Sequence, residues 1–110
     1  MLCIKLDNMS KIKSEYDDLD KYKNIIGCIS YYKKNTMLLH NPYGAAYITI
    51  NGYKEYWVEG KIHRLDGPAI IHSDGEEIYV INSKEFSKEE FEYHPERLKF
   101  LGKEYLTCLK

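Results

Sequence analysis

The sequence predicts an α+β fold, an antiparallel β-meander of hairpin repeats with flanking helices. The prediction rests on two observations. A segment that begins at His63 aligns with one 23 residues earlier that begins at His40, with 7 identities in the 22 aligned pairs. In each copy a turn-forming dipeptide, Asn51-Gly52 or Asp74-Gly75, separates two strand-like runs. We therefore expect at least two copies of a β-hairpin unit.

Length and composition favour a single domain over residues 1–110. Within it we expect an N-terminal helix and strand region at 1–34, hairpin repeats at 35–86 and a C-terminal helical cap at 87–110. The net charge is −1, so general attraction to DNA or to an anionic membrane is not expected. The sequence has no apolar run long enough to span a membrane and no signal-peptide pattern at its start.

Three chemistries are not expected. Cys3, Cys28 and Cys108 are odd in number and far apart, which favours reduced thiols in a cytoplasm over a disulfide framework. The four histidines have no cysteine or carboxylate at metal-ligand spacing, so we expect neither a metal nor another cofactor. The chain also lacks a nucleophile elbow and a glycine-rich phosphate loop, so the sequence predicts a protein that is not an enzyme.

Ahead of the repeats, the pattern predicts two strands and a helix. Alternation in Met1–Leu6 is typical of a short edge strand. Apolar residues recur at roughly helical spacing in Ser10–Tyr22, and Ser10 can cap the first turn, so we expect a helix there. Asn24–Lys33 is rich in Ile and Tyr with Gly27 inside it, which predicts one strand bent at the glycine.

Each repeat is expected to form a hairpin whose register follows from a two-residue loop. In that register Ile48 lies opposite Glu55 and Ile71 lies opposite Ile78. The expected strand pairs are 45–50 with 53–58 and 69–73 with 76–81.

A helical cap is expected after the repeats. Ser87 and Glu90 have the spacing of a capping box, so a helix begins there and buries Phe91. Pro95 either ends this helix or begins a second one that Gly102 breaks. A closing strand is expected at residues 105–109.

The segment from about Asn35 to Phe91 resembles the MORN-type repeat in its divergent phage and giant-virus form, strongly in its second copy and in degraded form in its first. The likeness rests on Tyr56-Trp57, Gly60-Lys61 and, above all, the run from His63 to Ala69, His-Arg-Leu-Asp-Gly-Pro-Ala. The resemblance implies a non-enzymatic, open antiparallel sheet used for protein contacts and dimerisation. In phages, small β proteins of this general sort include counter-defence proteins that sequester host signalling nucleotides, which is an analogy of setting and not of motif.

In the expected register, one face of the hairpins carries aromatic and basic side chains. The candidate ligand-binding residues are Tyr47, Lys54, Tyr56, Arg64, His72 and Tyr79. Aromatic rings stack on bases and cations neutralise phosphates, so this surface predicts a small anionic nucleotide-type ligand. The alternatives are that the surface packs against the N-terminal helix or against a second subunit.

Arg64 and Asp66 have two interpretations. Functionally, His63 and Asp66 could form a general-base pair, or Arg64 could clamp an anion. Structurally, Arg64 pairs with an acidic neighbour across the repeat while Asp66 accepts the backbone N–H groups of its turn. Taken together, the sequence predicts a homo-oligomeric phage binding protein of the host cytoplasm that sequesters a nucleotide-type ligand. The alternative is a protein–protein interaction module that binds a host or viral protein.

Overall fold

Eight strands form one antiparallel sheet that follows the chain almost in order. The computed structural model describes residues 9–109, with side chains described as far as Gly102. Across the sheet the strands are β1 (Met9–Ile12), β2 (Leu19–Asn24), β3 (Ile29–Lys33), β4 (Tyr47–Ile48), β5 (Lys54–Glu55), β8 (Ile70–Ile71), β9 (Glu77–Ile81) and β10 (Lys84–Phe86). A separate two-stranded sheet, β6 (Trp57–Val58) with β7 (Lys61–Ile62), lies in the chain between β5 and β8. The expected antiparallel α+β architecture is confirmed.

Both helices follow the sheet in the chain. The Ser87 side chain accepts the Glu90 N–H and the Glu90 side chain accepts the Ser87 N–H, so the predicted capping box begins α1 (Lys88–Glu92). Pro95 begins α2, which runs through Gly102 to Leu109. The closing strand expected at the C-terminus is therefore wrong. One glycine costs a helix only about 1 kcal/mol, which its neighbours can offset.

The helix expected over Ser10–Tyr22 is also wrong, because β1 and the first half of β2 occupy that segment. Lys11 pairs with Tyr22 in the β1–β2 register, and β2 pairs along its other edge with β3. Pairing with strands on both sides overrides the weak local helical pattern. The strand expected at Met1–Leu6 lies outside the described residues.

Three hairpins of the main sheet share one loop geometry. Gly27, Gly52 and Gly75 have φ angles of 97°, 96° and 96°. Each glycine N–H donates to the carbonyl three residues earlier, at 3.0, 3.2 and 2.9 Å. A tight turn followed by a left-handed glycine makes a three-residue loop. Gly27 thus ends a hairpin loop between β2 and β3, and the single bent strand expected there is wrong.

The two-residue loops expected at Asn51-Gly52 and Asp74-Gly75 are wrong by one residue, since both loops have three. In the observed register Tyr47 pairs with Glu55 and Ile71 pairs with Glu77. A shift of one residue exchanges the two faces of a strand. We call the side of the sheet with Tyr47 and Glu55 face 1, and the side with Ile71 and Glu77 face 2.

The 23-residue repeat is visible in individual hydrogen bonds. The Ala46 N–H donates to the Glu55 carbonyl at 2.8 Å, and the Ala69 N–H donates to the Ile78 carbonyl at 2.9 Å. The same spacing relates two further loops whose successive residues have positive φ, at 59–60 and at 82–83. Two-residue hairpin loops therefore do occur in this chain, but eight residues beyond the dipeptides that were expected to form them.

A third copy of the hairpin lies before the two that the sequence revealed. The Tyr31 N–H donates to the Ala46 carbonyl at 2.8 Å, as the Tyr56 N–H donates to the Ala69 carbonyl at 2.8 Å. This copy is offset by 25 residues rather than 23 from the next one. Tyr31, Tyr56 and Tyr79 consequently occupy equivalent places on face 2.

The core contains one covalent link that was not expected. Cys28 is 1 % exposed and disulfide-bonded, and the side chain of its partner lies outside the described residues. The expectation of reduced thiols is therefore wrong for Cys28. Within the described part of the chain, neither helix combines the length and the apolar character needed to cross a bilayer.

Candidate functional site

The six residues predicted to bind a ligand do not form one surface. Because of the shifted register, Tyr47 lies on face 1 and Lys54 lies on face 2. Tyr47 is only 1 % exposed, whereas Lys54 is exposed to solvent. The continuous aromatic and basic surface of the sequence prediction is therefore wrong.

On face 1, Tyr47 and His72 belong to a row of packed rings. The Tyr53 ring lies 6.4 Å from that of Tyr47 and 5.4 Å from that of His72. Beside the row, the buried Glu55 carboxylate accepts the Tyr53 hydroxyl at 2.6 Å and the Trp57 Nε1–H at 2.8 Å. Burial, aided by Glu55, raises the pKa of Tyr53, so its hydroxyl remains a donor. This row is a packing element of the fold.

On face 2, each of the three equivalent tyrosines has a different cover. The Tyr16 ring lies 5.7 Å from the ring of Tyr31, and the Phe91 ring of α1 lies 4.7 Å from the ring of Tyr79. The ring of Tyr56 is instead covered by the guanidinium of Arg64, at 4.0 Å. Lys21 Nζ also lies over the ring of Tyr31, at 5.4 Å, so Tyr56 differs from the other two in that its contact is with a guanidinium and not with another ring.

The loop before β8 holds the guanidinium of Arg64 over the ring of Tyr56. Its Nε donates to Asp66 Oδ1 at 2.9 Å, and its Nη1 donates to the Pro68 carbonyl at 3.0 Å. A Cβ on Gly67 would lie 2.9 Å from the Arg64 Cζ, so a larger residue here would displace the guanidinium from this position. The Arg-x-Asp-Gly-Pro run therefore specifies one guanidinium position. Arg64 does have an acidic partner, as the structural interpretation expected, but the partner is Asp66 in the same loop.

A cleft of about 440 Å³ opens beside this stack, between loops 41–44 and 63–66 and helix α2. It is lined by Asn41, Pro42, Tyr43, Gly44, Tyr56, Val58, His63, Arg64, Leu65, Asp66 and Phe100. Tyr43, Tyr56 and Phe100 contribute aromatic rings to the lining. The two charged side chains in it, Arg64 and Asp66, form an ion pair. Tyr56 and Arg64 are thus the two predicted site residues that line the cleft. Tyr79 instead packs against Phe91 of α1.

His63 is a neutral donor in the cleft wall. Its Nδ1 accepts the Asn82 N–H at 3.0 Å, which places the proton on Nε2. Burial lowers the pKa of His63, and the nearby Glu96 only partly opposes this effect. The imidazole can therefore offer an N–H without carrying a charge at neutral pH.

The predicted site lacked most of the cleft lining, including Asn41, Tyr43 and Phe100. Asn41 is buried and shapes its loop, since its Nδ2 donates to the Ala45 carbonyl at 2.9 Å and its Oδ1 accepts the Tyr43 N–H at 2.9 Å. Tyr43 is 58 % exposed, and its ring stacks on Tyr16 at 4.8 Å. The repeat alignment gave one usable signal. Loop 41–44 is the counterpart of residues 64–67 in the better-preserved copy, and both segments contribute to the cleft lining.

The lysine-rich cleft around Asp20 is a weaker candidate, with a volume of about 270 Å³. Lys11 lies 3.3 Å from the Asp20 carboxylate, and Lys34 lies 4.0 Å from it. Lys21 is bound to Glu15 at 3.0 Å. These cations already have carboxylate partners. Among the described residues, no three His, Cys, Asp or Glu side chains converge as a metal site.

Comparison with known proteins gives no family. The chain matches no protein-family model, no curated protein and no solved structure.

Proposed function

We propose that this protein is a non-enzymatic binding protein that takes a small nucleotide-type ligand into the cleft beside Tyr56 and Arg64. The observation that carries the proposal is the Arg64–Tyr56 stack, which presents a cation and an aromatic wall in the same opening. The volume of about 440 Å³ is typical of small-molecule sites, which occupy about 300–1,000 Å³.

The lining residues fit the two ends of such a ligand. Tyr43 and Phe100 offer aromatic surface on which a base can stack. The guanidinium of Arg64 uses Nε and Nη1 within its own loop, which leaves its Nη2 for a phosphate oxygen. The Nε2–H of His63 can donate to the same anion. Since Arg64 is the one cation among the described side chains of the lining, the cleft favours a ligand of low charge, such as a monophosphate or a cyclic nucleotide.

The biological setting of the proposal comes from the repeat motif. Its resemblance to divergent phage MORN-type repeats supports a viral protein that acts in the host cytoplasm. There, sequestration of a signalling nucleotide would serve counter-defence. The disulfide at Cys28 is more typical of an oxidising compartment, so thiol labelling of the protein inside the host cell tests this location.

Calorimetric titration with nucleoside monophosphates, cyclic mononucleotides and cyclic dinucleotides tests the proposal, with free nucleosides and inorganic phosphate as references. We expect one class to bind, with an affinity that falls as salt rises. Arg64→Gln should weaken binding by about 1–3 kcal/mol, the usual scale for a charged hydrogen bond.

The matched control is Arg97→Gln. Arg97 also covers an aromatic ring, Phe91, at 5.0 Å and also donates to a carbonyl, that of Glu92, but it lies outside the cleft lining. This change should leave the affinity unaltered. If no nucleotide binds at millimolar concentration, the second function, a protein-interaction module, becomes the better proposal. The exposed side chains of Ile25, Ile26 and Ile50 favour that function.

A further inference from the structure

Isoleucines cross face 2 near the hairpin loops, and Tyr56 of the cleft follows two residues after the row on the same face. The strand registers place six side chains side by side, an array we call the isoleucine row. In order across the sheet these are Lys23, Ile29, Ile48, Lys54, Ile71 and Glu77. The three isoleucines are partly exposed, and both lysines and the glutamate are exposed.

The adjacent loop tips extend this apolar surface. Ile25 is 87 % exposed, Ile26 is 54 % exposed and Ile50 is 75 % exposed. The two loops touch, because a Cβ on Gly27 would lie 2.5 Å from the Ile50 Cγ2. A contiguous patch of this kind on a small protein marks an interaction surface.

The charges at the ends of the row are opposite. Lys23 lies toward one end, where only Ser10 of the edge strand β1 follows it, and Glu77 lies at the other. Neither Lys23 nor Lys54 forms an ion pair with another described residue. Among the described residues, Glu77 accepts the hydroxyl of its neighbour Tyr79, at 3.2 Å, and has no cationic partner. The row therefore has a direction, with a positive end and a negative end.

A second copy of the same row complements that direction. A two-fold axis in the interface, parallel to the strands, reverses the order of one row over the other. Lys23 of each copy then meets Glu77 of the other, and Ile29 meets Ile71. The aliphatic stem of Lys54 covers Ile48, with its ammonium group reaching solvent.

We propose that the isoleucine row is the interface of a two-fold symmetric homodimer in which the sheets pack face to face. A second copy is the occupant that the charges specify, because it carries the same residues in the reverse order. The inference does not depend on the proposed ligand.

Sedimentation velocity across the micromolar range, with a charge-swap cycle, tests this dimer. We expect the wild-type protein to dimerise. Lys23→Glu alone and Glu77→Lys alone should each raise the dimer dissociation constant by about tenfold or more, since each creates two like-charge contacts. The double variant should return to within about threefold of wild type because the cross-pairs are restored in the opposite sense.

Two further variants complete the test. Ile48→Asp should abolish the dimer, whereas Lys61→Glu, an exposed lysine outside the row, should leave it unchanged. Circular dichroism melting of every variant checks that folding is retained. A monomeric wild-type protein at high micromolar concentration overturns the proposal. A dimer that survives Ile48→Asp, or single swaps that the double variant does not repair, overturns it equally.

Discussion

The Nδ1 of His63 accepts the backbone N–H of Asn82 at 3.0 Å, and so fastens the loop between β9 and β10 to the loop before β8. His40 makes the same bond to the Glu59 N–H, at 2.8 Å. Both histidines thus serve as acceptors in equivalent places of the repeat. This explains their conserved spacing within the chain without any metal or catalytic role.

The stability of the protein should fall between pH 7 and pH 5 because of His63. Burial lowers its pKa in the folded state below the ordinary value of 6.5, so the unfolded chain binds more protons in this window. The contribution of His63 to stability is therefore fully present above pH 6.5 and is lost as the pH falls through the lowered pKa of the folded state. Chemical denaturation at several pH values measures the effect.

His63→Asn is the control for this pH dependence. An asparagine Oδ1 can accept the Asn82 N–H but does not titrate, so the variant should lose most of the slope between pH 7 and pH 5. An unchanged slope would assign the effect to other groups.

Gly75→Val should destabilise the fold by about 1–3 kcal/mol. The position has a φ of 96° and open space around the missing side chain, so the cost is that of backbone strain alone. Gly75→Asn should cost clearly less, because asparagine tolerates positive φ. Equal losses for the two variants, measured by urea unfolding, would contradict this explanation.

Asp20→Asn should destabilise the protein by about 1–3 kcal/mol at neutral pH. The Asp20 carboxylate accepts the Asn35 N–H at 2.9 Å and faces Lys11 and Lys34. The Asn35 bond, aided by both lysines, lowers the pKa of Asp20. Its contribution is therefore present above pH 3.8 and is lost as the pH falls through the lower folded value. The difference between variant and wild type should vanish in strong acid.

Tyr53→Phe should cost about 1–3 kcal/mol, since it removes a donor from the buried Glu55 carboxylate. Tyr93→Phe is the matched control, because Tyr93 is 71 % exposed. Thermal unfolding of both variants should show a loss for the first and none for the second. Equal melting temperatures would show that the Tyr53 hydroxyl adds nothing to stability.

The hairpins could be predicted from the sequence because their signals are local. An Asn-Gly or Asp-Gly pair marks a reversal of the chain, but it fits both a two-residue loop and a three-residue loop. The choice between them depends on pairing with strands outside the hairpin, which no local pattern contains. The one-residue difference in loop length determines which side chains share a face, and it places Tyr47 and Lys54 on opposite faces of the sheet.

The candidate cleft was predicted in part for the same reason. Tyr56 and Arg64 belong to one motif and could be found together. Asn41, Tyr43 and Phe100 come from two other segments, and their approach depends on the path of the whole chain. The hairpin at Gly27 was not predicted because it is spaced 25 residues from the next copy, so an offset of 23 does not align the shared pairs Ile25/Ile50, Gly27/Gly52 and Tyr31/Tyr56.

The strand order has a consequence for how the protein folds and how its length can change. Almost every strand pairs with its neighbour in the chain, so each contact closes only a short loop. Such a sheet can grow hairpin by hairpin from any starting point and can open from its ends. A chain organised in this way can gain or lose a whole 23-residue segment, because the strands on either side of the missing piece present the same hydrogen-bonding edges to one another.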